Sequence, residues 1–125
     1  MMSFIAMNRT VNIDLEPGLY DFNPMSATGK TFLVKMIKSI NDSRIIAITY
    51  NDILLGVDPE RIINAGPELL VFDRFDLYDE KYKILSALKK ANCITIVDYK
   101  TQRKFCDFDD TCFVTLSERE LEVSL

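Results

Sequence analysis

Histidine is absent from the 125 residues. Its absence removes every Ser-His and Cys-His nucleophile arrangement. The three cysteines, Cys93, Cys106 and Cys112, form no Cys-x-x-Cys pair. Three scattered thiols do not supply the four ligands of a structural zinc site. Cys93 and Cys112 flank or enter apolar runs and read as buried, unreactive thiols. Four glycines and four prolines leave little room for flexible linkers, and the chain carries no low-complexity segment or internal repeat. No apolar run approaches the ~18–20 residues needed to cross a bilayer. The opening stretch, "MMSFIAMNRT", lacks the basic start and long apolar core of a secretory signal. These absences imply a cytoplasmic protein with no membrane partner. The net charge of −4 argues against a broad basic face for nucleic acid. The local clusters Lys35/Lys38 and Lys100/Arg103/Lys104 read as solvated surface.

What remains is ordinary globular composition, 48% hydrophobic and 27% charged. The length suits one domain, residues 1–125, with a real core. Strand-like and helix-like segments alternate. "TVNIDLE" (Thr10–Glu16) alternates apolar and polar residues as a half-buried or edge strand does, and Pro17-Gly18 marks a turn. "LYDF" (Leu19–Phe22) is a short strand leading into the loop Asn23–Thr28. From Gly29 onward Phe32, Leu33, Met36, Ile37 and Ile40 recur at helical spacing, ending near Asn41-Asp42. "RIIAITY" (Arg44–Tyr50) looks like a strand covered on both faces.

Two short helices are expected at Asn51–Gly56 and Asp58–Ala65, the second with Asp58 as cap and Pro59 at its first position. "ELLVFD" (Glu68–Asp73) and "CITIVD" (Cys93–Asp98) are apolar strands that each end in aspartate. Between them Tyr82, Leu85 and Leu88 space out a helix over Tyr78–Asn92, with lysines in its last turn. A polar connection, Tyr99–Thr111, precedes "CFVTL" (Cys112–Leu116), and Glu120–Leu125 alternates like an edge strand. Within that connection Asp107, Asp109 and Asp110 of "CDFDDTC" match no calcium-loop spacing and read as a solvated turn. Apolar strands separated by helices imply an α/β fold: a mostly parallel sheet of about five core strands with helices on both faces, plus an N-terminal edge strand. In such sheets ligands bind at the carboxyl ends of the strands.

At one such end stands Pro24-Met25-Ser26-Ala27-Thr28-Gly29-Lys30-Thr31. A phosphate-binding loop reads Gly, four residues, Gly-Lys-Ser/Thr. Its backbone N–H groups point at phosphate oxygens, its lysine reaches the outer phosphates, and its hydroxyl coordinates Mg²⁺. Here the second glycine, the lysine and the threonine are present. Pro24 stands where the first glycine belongs, fixing φ and removing a donor. The alternative is a surface Gly-Lys-Thr that merely starts a helix. A phosphate loop also needs an acidic strand end nearby to hold magnesium. "LLVFDRFD" offers Asp73, with Asp76 three residues on; a turn or cap is the other role open to Asp73.

Together these residues resemble a small P-loop NTPase, most similar to the AAA-type ATPase core, over roughly residues 19–116. The resemblance implies a three-layer fold with strand order 5-1-4-3-2. It implies ATP or another NTP with Mg²⁺ as cofactors. The loop residues Pro24, Met25, Ser26, Ala27, Thr28, Gly29, Lys30, Thr31 and Phe32 would hold the nucleotide. Lys30 would sit on the β and γ phosphates, Thr31 and Asp73 at the metal, and Asp98 at the position of the family's polar sensor. Three departures stand out. Arg74 replaces the glutamate that activates water, leaving Asp76 as the candidate catalytic acid. The helical lid has no counterpart, and no arginine finger can be assigned. The implied activity is therefore a weak or partner-dependent ATPase. Two alternatives remain open: an interaction module or inhibitor of the kind mobile elements encode, which keeps the architecture without using nucleotide, and a small nucleoside or nucleotide kinase with Lys100–Lys104 as lid.

Overall fold

The computed structural model describes residues 2–22, 27–98, 114–115 and 120–124, with backbone alone at 27–31, 76 and 114–115. Two sheets organise the chain. Strands β1 (Met2–Ala6), β2 (Arg9–Ile13) and β8 (Leu121–Ser124) form an antiparallel sheet in the order β1-β2-β8. The hairpin between β1 and β2 turns on Met7 and Asn8, both at positive φ (52° and 60°). That is the two-residue turn whose twist matches the flanking strands.

The second sheet is parallel. Strands β4 (Ile45–Ile48), β5 (Leu69–Phe72), β6 (Ile94–Val97) and β3 (Gly18–Asp21) lie side by side in that order, and β7 (Val114–Thr115) adds a two-residue pairing beyond β3. Every residue of β5 and β6 is buried, so both faces of the sheet are covered. Strand alternation splits the core in two. Ile45, Ala47, Leu69, Val71, Ile94 and Ile96 face α1 (Ala27–Ser39) through Leu33, Met36 and Ile37, and meet Phe4, Val11 and Ile13 of the antiparallel sheet. Ile48, Leu70, Phe72 and Val97 face the other way, onto Ile63 of α3 (Pro59–Asn64) and Ile84, Leu85 and Leu88 of α4 (Lys81–Lys90). The expected α/β class with helices on both faces is thus present.

Between β4 and α3 sits α2 (Tyr50–Leu54), opened by a capping box: the Thr49 hydroxyl accepts from Asp52 N–H at 3.1 Å and the Asp52 carboxylate accepts from Thr49 N–H at 2.9 Å. The same carboxylate takes the Lys38 ammonium at 2.7 Å, tying the end of α1 to α2. The helix ends on Gly56 at φ 99°, with Gly56 N–H on the Ile53 carbonyl and Val57 N–H on that of Asp52. This is a Schellman close, which only glycine adopts without strain. Asp58 caps α3 and Pro59 opens it, as expected from the sequence.

Several expectations change. The N-terminal segment is not an edge strand of the parallel sheet: β2 is the middle strand of a separate sheet, because β1 and β8 pair on its two sides. β1 itself went unread in the sequence, where only Phe4 and Ala6 alternate inward. Helix α4 begins at Lys81, not Tyr78, and Tyr82 is 62% exposed; Ile84 replaces it as the inward residue beside Leu85 and Leu88. Helix α1 begins at Ala27, two residues ahead of Gly29. The apolar run Arg44–Tyr50 yields a strand of only four residues, since Thr49 is taken as a cap.

Candidate functional site

Ile48, Phe72, Val97, Asp21 and Thr115 form the last row across the parallel sheet. One residue further stand Thr49, Asp73, Asp98 and Phe22. Their backbones stay coupled: Asp73 N–H donates to Ile48 O (2.9 Å), Asp98 N–H to Phe72 O (2.8 Å) and Phe22 N–H to Val97 O (3.2 Å). Asp73 and Asp98 therefore leave neighbouring strands, whose backbones run about 4.8 Å apart. The alternation that sends Val71 and Ile96 to the α1 side puts positions 73 and 98 on that side too.

The chain leaves β3 at this same edge and enters α1 after five residues, Phe22–Ser26. Gly29, Lys30 and Thr31 thus lie in the first two turns of α1. The first amides of a helix have no partner within it, and here they open at the carboxyl edge of the sheet. Ala27 and Thr28, expected in the loop, are already helical. Pro24, Met25 and Ser26 lie outside the described residues, as do the side chains of Ala27–Thr31 and of Asp76. Phe32 is half-buried against the α1-side core, and the Arg9 guanidinium stands 4.9 Å from its ring centroid. The readings on Cys106, Cys112, Lys100, Arg103, Lys104 and the Asp107–Asp110 turn also lie outside the described residues. Cys93 is described, and its thiol is buried 3.3 Å from the Thr95 hydroxyl, with burial pushing its pKa up.

The turn after β5 is fixed from several directions. Arg74 adopts the left-handed conformation (φ 53°), which an L-residue holds only where its surroundings require it. The next residue, Phe75, is fully buried and donates its N–H to Asp98 O at 2.8 Å, bridging the turn to the end of β6. A short 3₁₀ turn, Phe75–Leu77, then leads to Tyr78. The Tyr78 hydroxyl reaches back to two carbonyl oxygens, Ile48 at 3.0 Å and Asp73 at 3.1 Å. Burial pushes its ionisation far above the ordinary tyrosine range, with the Asp73 and Asp52 charges adding to the effect. Its ring packs edge-on to Phe72 and tilted against Phe75, with centroids 5.9 and 5.2 Å away.

Sequence reasoning missed two residues here. Asp21, only 5% exposed, is a carboxylate on the last row of β3, immediately ahead of the candidate loop. Its signal was an acid inside "LYDF". Tyr78 was read as the start of a helix, whereas it ties together the ends of β4 and β5. Its signal was an aromatic residue three positions ahead of a helix whose apolar spacing begins later.

The arrangement can present helix amides to an anion and carboxylate oxygens to a hard cation. Asp73 and Asp98 have the chemistry that suits Mg²⁺, which takes one or two carboxylates and keeps several waters. No group of three or more carboxylates or thiols among the described residues is placed to hold a metal by itself. Among the described residues no helix is long and apolar enough to cross a membrane. No family model matches the chain, and comparison with curated proteins and with solved structures returns no match.

Proposed function

We propose that the chain binds a nucleoside triphosphate, with ATP as the first choice, together with Mg²⁺ at the carboxyl edge of its parallel sheet. In this reading it hydrolyses nucleotide slowly unless a partner completes the site. The observation that carries it is the placement of Gly29-Lys30-Thr31: a strand, a five-residue connection and then this tripeptide at the head of α1, with Asp73 at the same edge two strands away. The strand order lends support. With β3 as strand 1, the row β7-β3-β6-β5-β4 reads 5-1-4-3-2, the order of the resembled family.

Lys30 would meet the outer phosphates as a point charge, while the amides of the first turn would donate to the phosphate oxygens. Thr31 and Asp73 would hold the magnesium, with Asp98 beside them. The metal supplies charge neutralisation at the phosphates. Asp76 is the carboxylate left to orient water, and Arg74 stands where a stronger general base is usual. Without that base and without a cation for the developing charge, turnover falls far below ordinary enzyme rates.

Isothermal titration of the protein with ATP and Mg²⁺, beside Lys30→Ala, tests the reading. Heat from the wild type and its loss in the variant are expected. Equal heats, or none from either, would remove nucleotide binding and leave the interaction module as the remaining reading.

A further inference from the structure

On the α4 side, next to the candidate site but apart from it, a cleft of about 420 Å³ opens between α2, the α2–α3 turn and the segment entering α4. Its floor is apolar. Tyr78 and Ile84 are buried there, and Tyr50, Ile53, Val57 and Pro59 are half-buried around them. Leu54 lines the cleft with 66% of its surface exposed, and Leu55 beside it is 76% exposed. Single exposed leucines are unremarkable, but one that lines an apolar cleft, as Leu54 does, offers an anchor for contact.

The charge lining the cleft has one sign. Asp58, Asp79 and Glu80 line it, all exposed, with no lysine or arginine among the lining residues. Two lysines of the first turn of α4 border the cleft: Lys81 donates to the carbonyl of Tyr78 at 3.1 Å, and Lys83 pairs with Glu60 at 3.2 Å and also feels Glu80 and Asp58, so three carboxylates line the cleft against two cations at its border.

We propose that this cleft docks a basic amphipathic segment of a partner protein. Its apolar side chains sit between Leu54 and Tyr78, and its lysines or arginines lie over Asp79 and Glu80. An apolar floor with an acidic rim is complementary to that chemistry. A two-fold contact with a second copy is disfavoured, because it would bring the same carboxylates face to face. The cleft also has a physical route to the carboxyl edge of the sheet: Tyr78 forms its floor and holds the Asp73 carbonyl.

The test is fluorescence anisotropy with the full chain and a labelled Leu/Lys peptide of about 14 residues, roughly four helical turns. A Leu/Glu peptide of the same pattern serves for comparison. Saturable binding of the Leu/Lys peptide alone is expected. Asp79→Lys with Glu80→Lys should weaken it about tenfold or more, and Leu54→Ser about fivefold. The distant pair Asp14→Lys with Glu122→Lys should change it less than about twofold. Circular dichroism confirms that each variant is folded. Absence of saturable binding would overturn the proposal, as would an equal loss in the distant pair, which would mean diffuse attraction to an acidic protein. Sedimentation showing a dimer that Leu54→Ser dissolves would give the cleft to a second copy and overturn it too.

Discussion

Replacing Tyr78 by phenylalanine removes one oxygen and nothing else. The ring keeps its contacts with Phe72 and Phe75, so no cavity opens. Lost are the donations to the carbonyls of Ile48 and Asp73. The Ile48 carbonyl keeps the Asp73 N–H, so what is lost is one hydroxyl proton shared between the two carbonyls, about 0.5–1.5 kcal/mol. A chain of this size unfolds with an entropy of about 0.26 kcal/mol per degree, so the midpoint should fall by roughly 2–6 °C. Thermal and urea denaturation followed by circular dichroism measure this, with an unchanged urea slope showing that the unfolded surface is the same. Alkali gives an independent readout. The folded state raises the Tyr78 pKa, so its contribution to stability is complete below the unfolded value near 10 and is lost as pH climbs past it. Wild type should therefore weaken above pH 10 more steeply than Tyr78→Phe. If the variant melts with wild type and their alkaline slopes coincide, the hydroxyl does not hold these two strand ends.

Asp52→Ala removes the capping box and the Lys38 pair, and should cost about 1 kcal/mol in urea unfolding. Burial works against the Asp52 charge, but Lys38 and the Thr49 backbone and hydroxyl outweigh it and lower its pKa. Its contribution is therefore present above about pH 4 and lost as pH falls through the depressed folded value, so an acid titration should separate wild type from the variant at neutral pH and bring them together below it. Gly56→Ala places a Cβ at φ 99° in open space, so the cost is backbone strain alone, about 1 kcal/mol by the same denaturation. Exchanging the hairpin pair Met7-Asn8 for Asn-Gly supplies the residues its positive φ values prefer, and should raise stability by about 1 kcal/mol.

How much of this was legible in advance depended on how local the cause was. The fully buried strands β5 and β6 showed as unbroken apolar runs, and Asp58-Pro59 announced α3, because capping is decided within a few residues. The carboxyl-edge placement of Asp73 and Asp98 followed from the same runs. In the antiparallel sheet the β2–β8 pairing joins distant segments that no window of sequence contains together, while the local β1–β2 hairpin was hidden because its turn, Met7-Asn8, carries no glycine. Tyr78 was misread for a related reason: one of its partners, Ile48 at the end of β4, lies 30 residues away. Buried Asp21 looked like any acid at the end of a short strand, since the sequence does not show that β3 lies inside the sheet, between β6 and β7.

Pairing of Ile13 with Leu121 has a consequence for how the molecule is made. During synthesis the β1–β2 hairpin precedes β8 by the whole of β3–β7, so one flank of β2 waits for that stretch to be made. Closing so long a loop is entropically slow to be rewarded. The layered centre can therefore assemble while that flank is bare, and β8 acts as a latch that seals a hazardous edge after the strands of the parallel sheet have been made.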